Sequence, residues 1–207
     1  TTVMGSGMTP DGHEFMEANP DMVDPQVPMC NDPATKPGMV AAGHCYSDNR
    51  AIIHLHGGIT PWISDGTPHQ WITPAGEDTP FPEGPSVQNV PDMDKEIVDD
   101  PTDGIQTFYY TNAQSARLMF YHDHSWGITR LNVYAGMAAP YIITDDTEAT
   151  LVADGLIPAP DDPTNTIPLV FQDKTFVPSD AQLALQDETW NKVAWGGEGN
   201  LWLPHVY

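Results

Sequence analysis

Hydrophobic positions gather in a few short runs along this chain, and turn residues separate them. Ala51 to His56 (AIIHLH) joins β-branched and aliphatic residues and is closed by Gly57-Gly58, which predicts a strand. Gly104 to Tyr110 (GIQTFYY) and Arg117 to His122 (RLMFYH) predict two more, linked by the polar turn Thr111 to Ser115. Met137 to Thr144 (MAAPYIIT) predicts another, while Ile128 to Ala135 suits a short helix or a strand equally well. Residues 1–50 carry Pro10, Pro20, Pro25, Pro28, Pro33 and Pro37 and keep neither hydrophobic period, so they read as a proline-rich irregular loop or insert. Residues 51–145 then form a first β domain, 146–163 an acidic linker, and 164–207 the beginning of a second β domain opening at Ile167 to Asp173 (IPLVFQD).

Composition strengthens the β reading. With 17 Gly and 21 Pro in 207 residues, long helices are disfavoured, and many short strands joined by turns are expected. Seven Lys and Arg against 29 Asp and Glu give a formal charge of −22, which excludes a nucleic-acid footprint and opposes an anionic membrane surface. The longest apolar stretch, Ala135 to Ile143, is broken by Gly136 and Pro140 and falls short of the roughly 20 residues of a membrane span. Cys30 and Cys45 favour a disulfide, with two free thiols as the alternative.

The chemistry lies in the histidines. Four of the eight fall in two His-x-His pairs, His54-Leu55-His56 and His122-Asp123-His124, each at the end of a predicted strand. Random placement would give about 0.3 such pairs, so two of them at strand ends call for a functional account. In a strand, residues i and i+2 share a face, so each pair presents two imidazoles to one side. Leu55, Phe120 and Ile53 are expected to alternate with them as core. Four converging imidazoles exceed what one open tetrahedral zinc needs, and suit a polynuclear site for a metal such as copper. His13, His44, His69 and His205 stand alone and read as surface or supporting residues. Met4, Met8, Met16, Met22, Met29 and Met39 suit a flexible loop better than a copper-handling one, although thioethers favour Cu(I). Trp62, Trp71 and Trp126 flank the pairs as core or shielding residues.

The surroundings of both pairs resemble a known family. His54-Leu-His-Gly-Gly-Ile-Thr-Pro-Trp-Ile-Ser-Asp65-Gly, running on to Pro68-His-Gln-Trp71, resembles the first copper motif of the multicopper oxidases, in particular the three-domain bacterial laccases of the spore-coat type. Tyr121-His-Asp-His-Ser-Trp-Gly-Ile-Thr-Arg-Leu-Asn-Val-Tyr-Ala-Gly136 resembles the second motif, and Trp195 to Tyr207 is similar to a stretch of that family's second domain. The resemblance implies a cupredoxin-like Greek-key β-sandwich, all-β, with the start of a second such domain. It also implies His54 as a ligand of type 2 copper, and His56, His122 and His124 as ligands of the type 3 pair, His56 and His122 on one ion and His124 on the other. Asp65 corresponds to a carboxylate beside the trinuclear cluster that delivers protons, although Ser64-Asp65-Gly66 also reads as a plain turn cap.

The pattern is incomplete. There is no His-Cys-His, so the ligands of type 1 copper are absent, as is the other half of the trinuclear set. The expectation is therefore an internal segment of a larger enzyme, whose remainder comes from a second chain or a missing C-terminal part. The resemblance implies O2 as one substrate and a phenolic, amine or metal-ion reductant as the other. With the acidic composition, it points to an extracellular or periplasmic, secreted protein. Two alternatives stay open: a copper-binding module without turnover, and a zinc metallohydrolase using the His-x-His pairs.

Overall fold

The structure, a computed structural model, describes residues 34–90, 100–186 and 197–202. Its centre is a three-stranded antiparallel sheet of β1 (Ile53–His56), β2 (Arg117–Asp123) and β3 (Ala138–Ile143), in the order β1-β2-β3. The antiparallel β architecture expected for a cupredoxin-like domain is thus the frame of the described chain, with strand limits close to those predicted. Register is fixed by His54 opposite His122, and by Met119 opposite Tyr141.

A period of two sorts the faces of this sheet. Leu55, Met119 and Ile143 point one way and pack together, with Tyr110, Tyr121 and Tyr141 around them. His54, His56, Phe120 and His122 lie on the other face by the same register. Phe120 therefore departs from its expected core role: it is 43% exposed, because it shares parity with His122 and not with Met119. Ile53 has core parity but stands at the first position of β1 and stays 40% exposed.

Helices are short. α1 (Lys36–Ala41) has a proline in its first turn, where the missing N–H costs nothing, so the supposed loop is helical here. α2 (Thr129–Ala135) resolves the ambiguous stretch as a helix that stops at Gly136, whose φ of 120° halts its continuation. α3 (Asp146–Ala153) occupies the first half of the segment read as a linker, because the Asp145 side chain accepts from the Glu148 N–H and caps it. α4 is Asp180–Gln186.

Two predicted strands are absent as strands. Gly104 to Tyr110 is extended but tied to side chains: the Thr107 N–H donates to Asn89 Oδ1 at 2.7 Å and the Tyr109 N–H to Ser64 Oγ at 2.8 Å. Ile167 to Asp173 has no ladder among the described residues, and Phe171 is 89% exposed. Beyond it Val177, Leu183 and Trp202 form a separate small cluster, braced by a bridge between Phe176 and Leu201. Cys45 is buried and disulfide-bonded, and the one other cysteine of the sequence is Cys30, which lies outside the described residues. His13, His205 and the methionines before residue 34 also lie outside them, whereas Met39 packs on Val40 and Cys45. No helix among the described residues is long and apolar enough to cross a membrane.

Candidate metal centre

β1 and β2 bring the two histidine pairs together. The His54 ring lies 4.9 Å from that of His124 in a stacked arrangement, and 5.6 Å from that of His122. The His56 and His122 rings are 5.5 Å apart, and those of His122 and His124 are 5.8 Å apart. All four therefore share one small volume on the face opposite the core. Phe120 stacks on the His56 ring at 4.7 Å and on His122 at 5.5 Å.

Backbone carbonyls orient three of the rings. His54 Nδ1 is 2.5 Å from the Asp65 carbonyl, His122 Nδ1 is 2.6 Å from that of Asp123, and His124 Nδ1 is 3.1 Å from that of Gly66. A carbonyl can only accept, so each of these nitrogens carries the proton and leaves its Nε2 unprotonated, that of His122 accepting from His56 Nδ1 at 3.3 Å. Burial, reinforced by the neighbouring His54 and His122, lowers the pKa of His124 although the Gly66 carbonyl opposes the shift. That keeps its ring in the neutral form that ligates.

Gly66 makes this geometry possible. It sits at φ +68°, and a Cβ there would come within 2.0 Å of the Ile53 carbonyl oxygen. The Ser64-Asp65-Gly66 turn, which ends the 3-10 turn Trp62–Ser64, thus presses directly on β1 and offers two carbonyls to the rings. Asp65 turns its side chain to the Thr60 hydroxyl at 2.9 Å, and its Oδ1 lies 3.5 Å from His54 Nδ1. The aspartate is thus both the end of a turn and a neighbour of the histidines.

The donor set suits a borderline metal ion such as copper or zinc, since imidazole favours both. His56 Nδ1 and His122 Nε2 stand 3.3 Å apart. Two nitrogens each about 2.0–2.1 Å from one ion at a near-tetrahedral angle would be separated by roughly 3.3 Å, so this pair is already spaced for a shared metal. Among the described residues, however, no three His, Cys, Asp or Glu side chains are gathered round one point as a finished ligand set.

The other residues singled out fall elsewhere. Trp71 is buried core at 2% exposure, in edge-to-face contact with Tyr46, whereas Trp62 is 65% exposed. His44 and His69 are exposed, and the His69 ring leans on Trp126 at 5.8 Å. The sequence places Phe120 in the core and gives Gly66 and Asp123 no role of their own. The parity of Phe120 with His122 was readable, whereas the close approach of Gly66 to β1 was not.

The site is thus a cluster of four histidines on one face of an antiparallel sheet. Comparison with known proteins agrees: the chain is similar in sequence to the laccases and other multicopper oxidases. It is 35% identical to a laccase of Bacillus stratosphericus over 136 residues, 66% of this chain and 21% of that protein. It is 36% identical to the laccase of Bacillus subtilis (strain 168) over 102 residues, 49% of this chain and 16% of that one. The chain thus spans about a fifth of the length of these curated relatives. A solved multicopper oxidase variant from the hyperthermophile Aquifex aeolicus overlaps 52% of this chain and 18% of its own at 26% identity, with a TM-score of 0.32 that is too low to carry a statement about fold. No family model matches the chain.

Proposed function

We propose that this chain is part of a laccase-like multicopper oxidase and supplies half of its trinuclear copper site. The observation that carries the reading is the convergence of His54, His56, His122 and His124 on one face, three of them held by backbone carbonyls with Nε2 unprotonated. The four histidines would hold copper, which would supply one-electron redox chemistry for the four-electron, four-proton reduction of O2 to two waters, with a phenolic, amine or metal-ion reductant oxidised at the part of the enzyme that holds type 1 copper. His54 would serve the type 2 ion, His56 and His122 one type 3 ion, and His124 the other. Asp65, half-exposed and hydrogen-bonded to the Thr60 hydroxyl, would move protons between solvent and the histidine face.

The remaining ligands, including those of type 1 copper, would come from the rest of the enzyme. They would approach over the histidine face, where Leu118 and Ile142 are exposed beside Phe120. The described segment after Asp173, with its own small cluster of Val177, Leu183 and Trp202, would begin a second domain of the same kind. We place the protein in an extracellular or periplasmic setting, in keeping with its acidity and its laccase relatives.

Metal analysis of the chain after separate exposure to copper and zinc tests the reading. The expected result is retention of Cu(II) with nitrogen hyperfine structure in its paramagnetic resonance spectrum, and at least a tenfold weaker hold in His122→Ala. A wild-type chain that retains zinc but not copper would overturn the oxidase reading in favour of a zinc site.

A further inference from the structure

The residue between the second pair of histidines is almost wholly buried. Asp123 is 1% exposed, and its carboxylate accepts three hydrogen bonds. Oδ1 takes the Ile52 N–H at 2.9 Å and the Ser125 hydroxyl at 2.8 Å, and Oδ2 takes the Ser125 N–H at 3.0 Å. Every one of these donors adjoins a histidine pair: Ile52 lies two residues before His54, and Ser125 follows His124.

The ladder explains why a carboxylate stands there. Ile53 is opposite Asp123, so the next pair outward is Ile52 with His124. The His124 N–H does donate to the Ile52 carbonyl at 2.9 Å, but the Ile52 N–H turns to the Asp123 carboxylate. The side chain takes the place of a strand carbonyl. β2 can then leave the ladder after Asp123 without stranding a buried N–H, which would cost about 1–3 kcal/mol. Released in this way, His124 stacks on His54 and reaches the Gly66 carbonyl.

A buried carboxylate also needs positive charge nearby. Arg50, itself 1% exposed, attracts Asp123 and is anchored on the same loop through Nη1 to the Trp126 carbonyl at 3.0 Å. Its guanidinium stacks over Trp71 at 4.9 Å and over Tyr46 at 5.3 Å. Burial pulls its pKa down to about 10, which still leaves it charged at neutral pH.

We infer that Asp123 is the positioning residue of the metal centre, fixing the two histidine pairs in register by holding Ile52 and Ser125 with one carboxylate. This rests on the reading of the four histidines as ligands. Asp123→Asn keeps the shape but sets an amide NH2 against N–H donors, so at least one of the three bonds must fail.

The test titrates Cu(II) into the full 207-residue chain against a chromophoric chelator, with amide hydrogen exchange followed in the metal-free protein. Wild type, D123N, S125A and the core control I143V are compared. D123N should bind Cu(II) about 10–100-fold more weakly, with an altered nitrogen hyperfine pattern, and S125A a few-fold more weakly. The Ile52 and Ser125 amides should exchange faster in D123N, while I143V should keep wild-type copper affinity despite its lower stability. Should D123N fail to fold, S125A carries the comparison through the same two readouts. Wild-type affinity and exchange in D123N, or an equal copper loss in I143V, would overturn the inference. Absence of copper binding in the wild type would instead defeat the ligand reading, and exchange at Ile52 and Ser125 would still decide the brace.

Discussion

At the scale of single residues, the site depends on atoms that are absent as much as on those present. Gly66 is the clearest case, because any side chain there would meet the Ile53 backbone. Gly66→Ala should lower stability by about 2–4 kcal/mol, combining left-handed strain with a backbone clash. Thermal unfolding would measure this, and copper affinity should fall with it as the Asp65 and Gly66 carbonyls shift. Tyr110 presents the opposite situation, a hydroxyl buried with no hydrogen-bond partner. Burial, and after it Tyr141, Asp65 and Tyr121, push its pKa up to about 12. A buried phenol whose value is raised from near 10 keeps its proton in the fold, so the fold keeps its full stability below pH 10 and is progressively destabilised as pH rises through 12. Tyr110→Phe should therefore be neutral to stabilising by about 1 kcal/mol at pH 7, and should unfold at higher pH than wild type in an alkaline titration.

At the scale of elements, short helices and strands rely on side-chain bonds at their ends. Asp145 shows this, accepting from the Glu148 N–H at the start of α3 and from the Ala116 N–H just before β2. These bonds, the one from Ala116 foremost, hold its carboxyl below the usual range. A depressed carboxyl stabilises above the unfolded value near 4, and that contribution vanishes as pH falls through the folded one. Asp145→Ala should lower Tm by about 2–4 °C at pH 7, and the gap from wild type should narrow as pH falls below about 4. A gap that stays constant down to the lowest pH at which the chain still folds would show that the carboxylate is not what caps α3.

The same dependence explains what could be read from the sequence. β1, β2 and β3 were legible because each is a run of apolar residues with the right parity, and the four histidines were legible because that parity places them together. Gly104 to Tyr110 has the composition of a strand, but Asn89 and Ser64 take the backbone N–H groups of Thr107 and Tyr109. Such competition comes from distant side chains and leaves no local trace. The helix α3 was hidden among acidic turn residues, although Asp145 followed by Glu148 is an N-cap pattern that could have revealed it. In the sequence Asp123 merely stands between His122 and His124, and only the approach of β1 gives it a task.

At the scale of the whole molecule, charge dominates. A formal charge of −22 on 207 residues leaves the folded state under self-repulsion that salt relieves, with the screening length falling from about 10 Å at 0.1 M to about 3 Å at 1 M. Melting temperature should rise as sodium chloride increases over this range. A fall would mean that specific ion pairs such as Lys36 with Asp48 outweigh the general repulsion, although seven Lys and Arg stand against 29 Asp and Glu.

The pairing of His56 with His122 spans 66 positions of chain. During synthesis the first histidine pair therefore leaves the ribosome long before its counterpart exists, and for that interval it is an ordinary two-imidazole chelate with weak hold on any ion. A metal met early can be given up again. Only when β2 has docked do the four imidazoles of this chain stand together, so an ion that needs more than two of them must wait for the fold.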